Sequence, residues 1–140
     1  LQRQMHLGGH PEWELGRTMI GSHDGRQVLY DTDRQEITGQ LGSSGDFSRP
    51  GGDIALSPDG KRFVNGYSSK DPAENYYSIL FRRQNRLVHT RGFSRGQWTA
   101  GQLRIDPAPC WNRTGEQLLI SAITDDAKQT RQLFVIHLQQ

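Results

Sequence analysis

Five histidines, an arginine–aspartate pair and a single cysteine are the residues of this chain best placed to do chemistry. His10 stands in Gly9-His10-Pro11, and a neutral imidazole there can ligate a metal or accept a proton near neutral pH. The competing reading is a histidine bonded to nearby backbone that fixes the entry to a strand. His6, four residues earlier, would share a helix face with His10, but Gly8-Gly9 argues against a helix. His23 beside Asp24-Gly25 reads as an exposed turn, and His89 and His137 follow strands and look peripheral. Asp53, in Gly52-Asp53-Ile54, carries a carboxylate suited to a hard divalent cation such as manganese or magnesium. Arg104 and Asp106 are two apart. An arginine held by an aspartate can bind a ligand carboxylate, and the alternative is a structural salt bridge between repeating units. Arg131 follows an acidic stretch and reads as a surface partner of Asp125 or Asp126. Trp98, with Arg95 in a Gly-rich stretch, is placed either to stack on a sugar ring or to pack its own loop.

Several chemistries are missing. No G-x-S-x-G nucleophile elbow occurs, since "GSSG" at 42–45 fits only loosely. No phosphate loop or dinucleotide fingerprint is present. Cys110 stands alone, so no intrachain disulfide forms, and it is expected to be a buried, inert thiol. Asn112-Arg113-Thr114 matches a glycosylation acceptor in a turn.

These residues need elements to position them, and the chain supplies a repeat. The stretches "HPEWELGRTMIG" at 10–21, "DIALSPDGKRFVNG" at 53–66 and "APCWNRTGEQLLIS" at 108–121 align. Each has an apolar anchor (Trp13, Leu56, Trp111), a polar turn, then an apolar strand. A further strand follows each, around Val28–Tyr30, Tyr76–Phe81 with Leu87-Val88, and Leu133 to Leu138, where Leu133, Val135 and His137 alternate. Short strands bounded by Gly, Asp, Asn and Pro predict an all-β fold with little helix. Asp24-Gly25 and Asp59-Gly60 favour hairpin turns, and turn chemistry fully explains Asp59 and Gly60. Leu56 follows Trp13 by 43 residues and Trp111 follows Leu56 by 55. The first interval is that of a propeller blade. The second predicts an inserted loop, near 92–102. Trp13 and Trp111 are expected to anchor packing between blades.

About three four-stranded blades are therefore predicted in one partial β-propeller domain over 1–140, with units starting near 10, 53 and 108. Three blades do not close a ring, because closed propellers have about four to eight. The closure argument predicts either a piece of a longer propeller, with the rest of that propeller as its partner, or assembly with other copies of the chain, and it favours the piece.

The chain has 17 Lys and Arg against 15 Asp and Glu, a net charge of +2, so no nucleic-acid partner is expected. Arg82, Arg83 and Arg86 read as a solvated hairpin end. No apolar run is long enough for a membrane span, and no membrane association is expected. Hydrophobic residues make up 33%, and 16 glycines extend that fraction, as suits sheets with one wet face.

"SPDGKRF" at 57–63 resembles the turn of TolB-type, WD40-like propeller repeats. The ordered set "GGHPEW", "GGDIALSPDGKRFV", "RGQW", "RIDPAPCWNRTG" and "RQLFVIHL" resembles the oligogalacturonate lyase-like propellers, over about 7–138. That resemblance implies a seven-bladed ring that cleaves oligogalacturonides by β-elimination. It also implies a divalent metal, typically manganese, held mainly by histidines near the axis. On the same footing, His10 and Asp53 are candidate metal ligands, and Arg104 and Asp106 candidate catalytic residues. The chain departs from the pattern at two of three blade starts. Asp53 and Ala108 stand where histidines are expected, and Ala108 cannot ligate a metal.

The leading expectation is a propeller that acts on or binds uronic-acid oligosaccharides, with a catalytic site that has lost histidines. The alternative is a non-catalytic TolB-type propeller presenting a protein- or glycan-binding surface. A third reading is the propeller cap of a serine peptidase whose catalytic domain lies elsewhere.

Overall fold

Three antiparallel sheets follow one another along the chain, with no helix among the described residues. The structure, a computed structural model, describes residues 7–125 and 127–138. His6 and Asp126 therefore lie outside the described residues.

The first sheet is a meander of β1 (Gly8–Trp13), β2 (Thr18–His23), β3 (Arg26–Asp31) and β4 (Glu36–Leu41). Asp24 and Gly25 both take positive φ, 47° and 71°, which matches the right-handed twist of the strands they join. The second sheet contains β5 (Asp53–Leu56), β6 (Arg62–Ser68), β7 (Glu74–Phe81) and β8 (Arg86–His89). A fifth strand, β9 (Phe93–Ser94), pairs with the start of β7. The third sheet has three strands, β10 (Cys110–Trp111), β11 (Gln117–Ile123) and β12 (Arg131–His137). The sheets thus hold four, five and three strands rather than four each. Part of the stretch expected as an inserted loop extends the second sheet instead.

The second sheet is the middle layer, and its alternation shows why. Val64, Tyr77, Ile79 and Phe81 meet Leu118 and Ile120 of the third sheet. Phe63 and Leu80 point the other way, to Ile20, Leu41 and Phe47. Each such side chain removed from water contributes about 1.5–3 kcal/mol. Polar ties join the layers. Trp111 Nε1 donates to the Ala55 carbonyl at 3.1 Å, and Arg62 Nη1 to that of Gly115 at 3.1 Å. Arg82 is paired with Glu14 of the first sheet and donates to Gly60 O at 2.8 Å, so it is a tie between sheets rather than a solvated end. Arg86 sits over the Phe81 ring at 4.0 Å.

The two flanking sheets have apolar groups on both faces. In the third, Phe134 and Ile136 pack inward, while Leu133 and Val135 are 66% and 49% exposed. Cys110 pairs with Leu119, and Leu119 with Val135, so all three share the outer face. That is why Cys110 is exposed rather than buried. Trp13 pairs with Met19, on the face opposite Ile20, and is 59% exposed. Of the two tryptophan anchors only Trp111 packs between sheets.

The turn at Asp59 is fixed by its own side chain. Ser57 Oγ donates to Asp59 Oδ1 at 2.7 Å, the Lys61 amide at 3.1 Å, and Gly60 has φ of 69°. The Ser57 hydroxyl above all, then the Lys61 amide and ammonium, hold the Asp59 carboxyl down at about 2, against a normal 3.8. The unfolded chain binds that proton more readily, so Asp59 stabilises the fold above about pH 4 and ceases to as pH falls through about 2. Urea midpoints measured across that window should fall with acid in the parent chain. In Asp59→Asn that part of the slope should vanish.

β5 lies beside β1 on one side and β10 on the other. The registers Gly8 with Ser22 and Asp53 with Gly66 put the starts of β1 and β5 at the same end as the finishes of β2 and β6. The connections 42–52 and 95–109 return to that end, which holds His10, Asp53, Arg104 and Asp106.

Candidate functional site

His10 lies in β1 where the pairing with β2 is irregular between Gly8 and Glu12. Its ring stands 73% exposed, freed from the ladder's regular alternation. Asp53 opens β5, with its side chain 22% exposed. His10 Nε2 is 3.3 Å from Asp53 Oδ1, so the pair bridges two sheets.

Arg104 and Asp106 come from the connection 95–109. Arg104 Nε donates to Asp106 Oδ1 at 2.7 Å, and both side chains are about half exposed. The pair lies within one connection and does not join two sheets. Between them Ile105 is fully buried. Its amide donates to Trp98 O at 2.9 Å, and its carbonyl accepts from Asn75 Nδ2 at 3.3 Å. Burying the middle residue of an extended triplet turns both neighbours outward.

The two pairs feel each other. Burial raises the Asp53 carboxyl above its normal value; His10 pulls it back down, Asp106 pushes it up and Arg104 lowers it. Gly66, opposite Asp53, lies against the Pro107 carbonyl, so β1, β5 and the connection before β10 come together here and the charges of His10, Arg104 and Asp106 all act on Asp53. Behind them Tyr77 is fully buried, its hydroxyl beside the Asn75 amide. Burial first, then the Asp53 charge, push that hydroxyl's ionisation strongly upward, so it stays a neutral phenol.

Three buried amides hold these segments, and all three were missed in the sequence. Asn65, on β6, donates to Arg49 O at 3.0 Å and accepts from Gln27 at 3.2 Å. Gln27 also donates to Pro50 O at 2.5 Å. Together they pin the connection that delivers Asp53. Asn75, on β7, holds Ile105 and so delivers Arg104 and Asp106. The available signal was a polar residue at an inward strand position, as in Phe63-Val64-Asn65-Gly66.

Other candidates settle elsewhere. Trp98 is half-buried, and its Nε1 donates to Gln129 O at 3.0 Å, docking the connection on the β11–β12 hairpin. Arg131 donates to Leu103 O at 3.1 Å rather than pairing with Asp125. His23 lies 3.3 Å from Asp24, His89 Nδ1 3.0 Å from Ser78 Oγ, and His137 Nδ1 3.3 Å from the Gln117 amide.

The arrangement offers one imidazole backed by a carboxylate, and one guanidinium held by a carboxylate. With Nε2 facing Asp53, the exposed ring has Nδ1 to accept a proton, and Asp53 stabilises the cation that results. Arg104 offers charge and donors to an anion. The arrangement does not suit a metal. His10 and Asp53 supply two donors, Arg104 occupies Asp106, and Ala108 contributes none. Among the described residues no group of three or more His, Cys, Asp or Glu could hold an ion.

No family model matches the chain, and no curated protein matches it in sequence. Among solved structures it is similar to an oligogalacturonate lyase in complex with manganese, with a TM-score of 0.64 and 16% identity. The match covers 96% of this chain and 37% of that one, so the chain spans little more than a third of the lyase's length. The likeness is a distant structural relation to that propeller family, and it carries the fold.

Proposed function

We propose that this chain is part of a β-propeller that binds acidic, uronate-bearing oligosaccharides at the loop end of its sheets. In this reading His10, backed by Asp53, accepts a proton, and Arg104, held by Asp106, binds a substrate carboxylate. The observation that carries it is the convergence of three separate segments at Asp53, on which the charges of His10, Arg104 and Asp106 all act. In a β-elimination the base removes the proton on the carbon bearing the carboxylate. The glycosidic oxygen then leaves from the adjacent carbon, takes up a proton, and a carbon–carbon double bond remains. The uncovered apolar faces of the first and third sheets meet further sheets of the same propeller.

A second reading is a binding propeller without turnover, and Ala108 with the two-donor His10–Asp53 pair favours it. Calorimetric titration of the chain with a galacturonide trimer, and with a neutral trimer as control, tests the shared part. Arg104→Gln should weaken acidic-sugar binding by about tenfold, the value of one charge-assisted contact. Equal affinity for the neutral and acidic trimers would sink both readings. Ultraviolet absorbance of the unsaturated product then separates lyase from binder.

A further inference from the structure

A second cavity opens at the same end of the sheets, over β6 and β7 rather than over β1 and β5. It encloses about 560 Å³, and its walls include Arg49, Ser68, Ser69, Lys70, Arg95 and Thr99. Three of these are cations, and among the described residues no acidic one lines it. They come from three segments: the 42–52 connection, the β6–β7 turn and the stretch after β9.

Carboxylates partner only some of the chain's cations. Arg17, Arg34, Lys61, Arg62, Arg82 and Arg104 are all in ion pairs. Among the described residues Arg49, Lys70 and Arg95 are in none. Two of them are nevertheless fixed in place. Arg49 Nη1 donates to Ser68 O at 2.6 Å, and Arg95 Nη2 to Ser69 O at 2.5 Å. Arg95 is only 7% exposed, and among the described residues its Nε has no hydrogen-bond partner. A buried guanidinium N–H left without an acceptor is costly, and an anion in the cavity would supply one. Guanidinium groups match the paired oxygens of an oxyanion, and a lysine adds charge without geometry. The volume lies in the range of small-molecule sites, so it admits more than a bare ion. The hydroxyls of Ser68, Ser69 and Thr99 offer neutral partners to the rest of a polar ligand.

We propose that this cavity is an oxyanion site, taking the phosphate, sulfate or carboxylate group of a small polar ligand on Arg49, Lys70 and Arg95. It is independent of the function proposed for His10 and Asp53. The test is calorimetric titration of the complete chain with inorganic phosphate, sulfate and monomeric galacturonate at constant ionic strength, with chloride as control. At least one oxyanion should bind saturably at one site, and the order among the three identifies the group preferred. Lys70→Gln and Arg49→Gln change exposed side chains, so folding should survive, as a thermal melt checks. Each should weaken binding about fivefold, and the double variant more than either, while His10→Ala leaves it unchanged. No saturable binding beyond the chloride control, or full affinity in the double variant, would overturn the proposal.

Discussion

Gly66→Ala is expected to lower stability by about 3 kcal/mol and the melting temperature by about 10 °C. Gly66 lies in β6 opposite Asp53. A Cβ placed there would overlap the Pro107 carbonyl oxygen and stand 3.1 Å from the Tyr77 ring. The obstacle is backbone on one side and a fully buried ring on the other, so neither can swing aside. Relief requires the connection carrying Arg104 and Asp106 to lift off β6. The variant should therefore lose acidic-sugar binding out of proportion to its stability. Gly39→Ala is the control, because a Cβ there meets only Leu29 Cδ1, at 3.5 Å. Differential scanning calorimetry of both variants decides the matter. Equal melting temperatures would mean that Pro107 does not pack on Gly66.

The close approach at Gly66 marks what a single sequence hides. The repeat was legible because turn chemistry is local. Ser57 to Lys61 specify their own geometry, and apolar alternation in β6 and β7 follows from burial on both faces. His10 and Asp53 were legible as candidates because each stands at the start of a repeating unit. Arg104 and Asp106 were legible as an arginine two residues from an aspartate that can hold it, whereas the burial of Ile105 that turns both outward was not. The rest depended on contacts between distant segments. Nothing near Gly66 announces Pro107, and nothing near Asn75 announces Ile105. Arg49, Lys70 and Arg95 become a cluster only when two connections fold over β6 and β7. The exposure of Cys110 and Trp13 was hidden for a related reason. An apolar residue at an inter-sheet position reads as buried, whether or not the covering sheet is there.

Asp53→Asn is expected to move three observables in different directions. The first is stability. Burial raises the Asp53 carboxyl above its normal 3.8, so the folded chain holds that proton more tightly than the unfolded one. Stability is then greatest on the acid side and falls as pH rises through the raised value. At neutral pH the ionised carboxylate is a net cost, and its neutral isostere removes it. The melting temperature at pH 7 should hold or rise, and its pH slope on the acid side should flatten. The second observable is affinity. An anion beside an acidic ligand repels it, so the variant should bind a uronate oligosaccharide more tightly than the parent chain does. The third is proton transfer. Without the carboxylate 3.3 Å from Nε2, the cation formed on His10 loses its counter-charge. If the propeller turns over its ligand, elimination should slow by about a hundredfold. A residue that merely holds β1 to β5 would behave otherwise, since breaking its contact with His10 would lower the melting temperature and leave turnover per folded molecule unchanged. Tighter binding with slower elimination at undiminished stability places Asp53 in service of the ligand. Lower stability with unchanged binding assigns the His10–Asp53 pair to the framework.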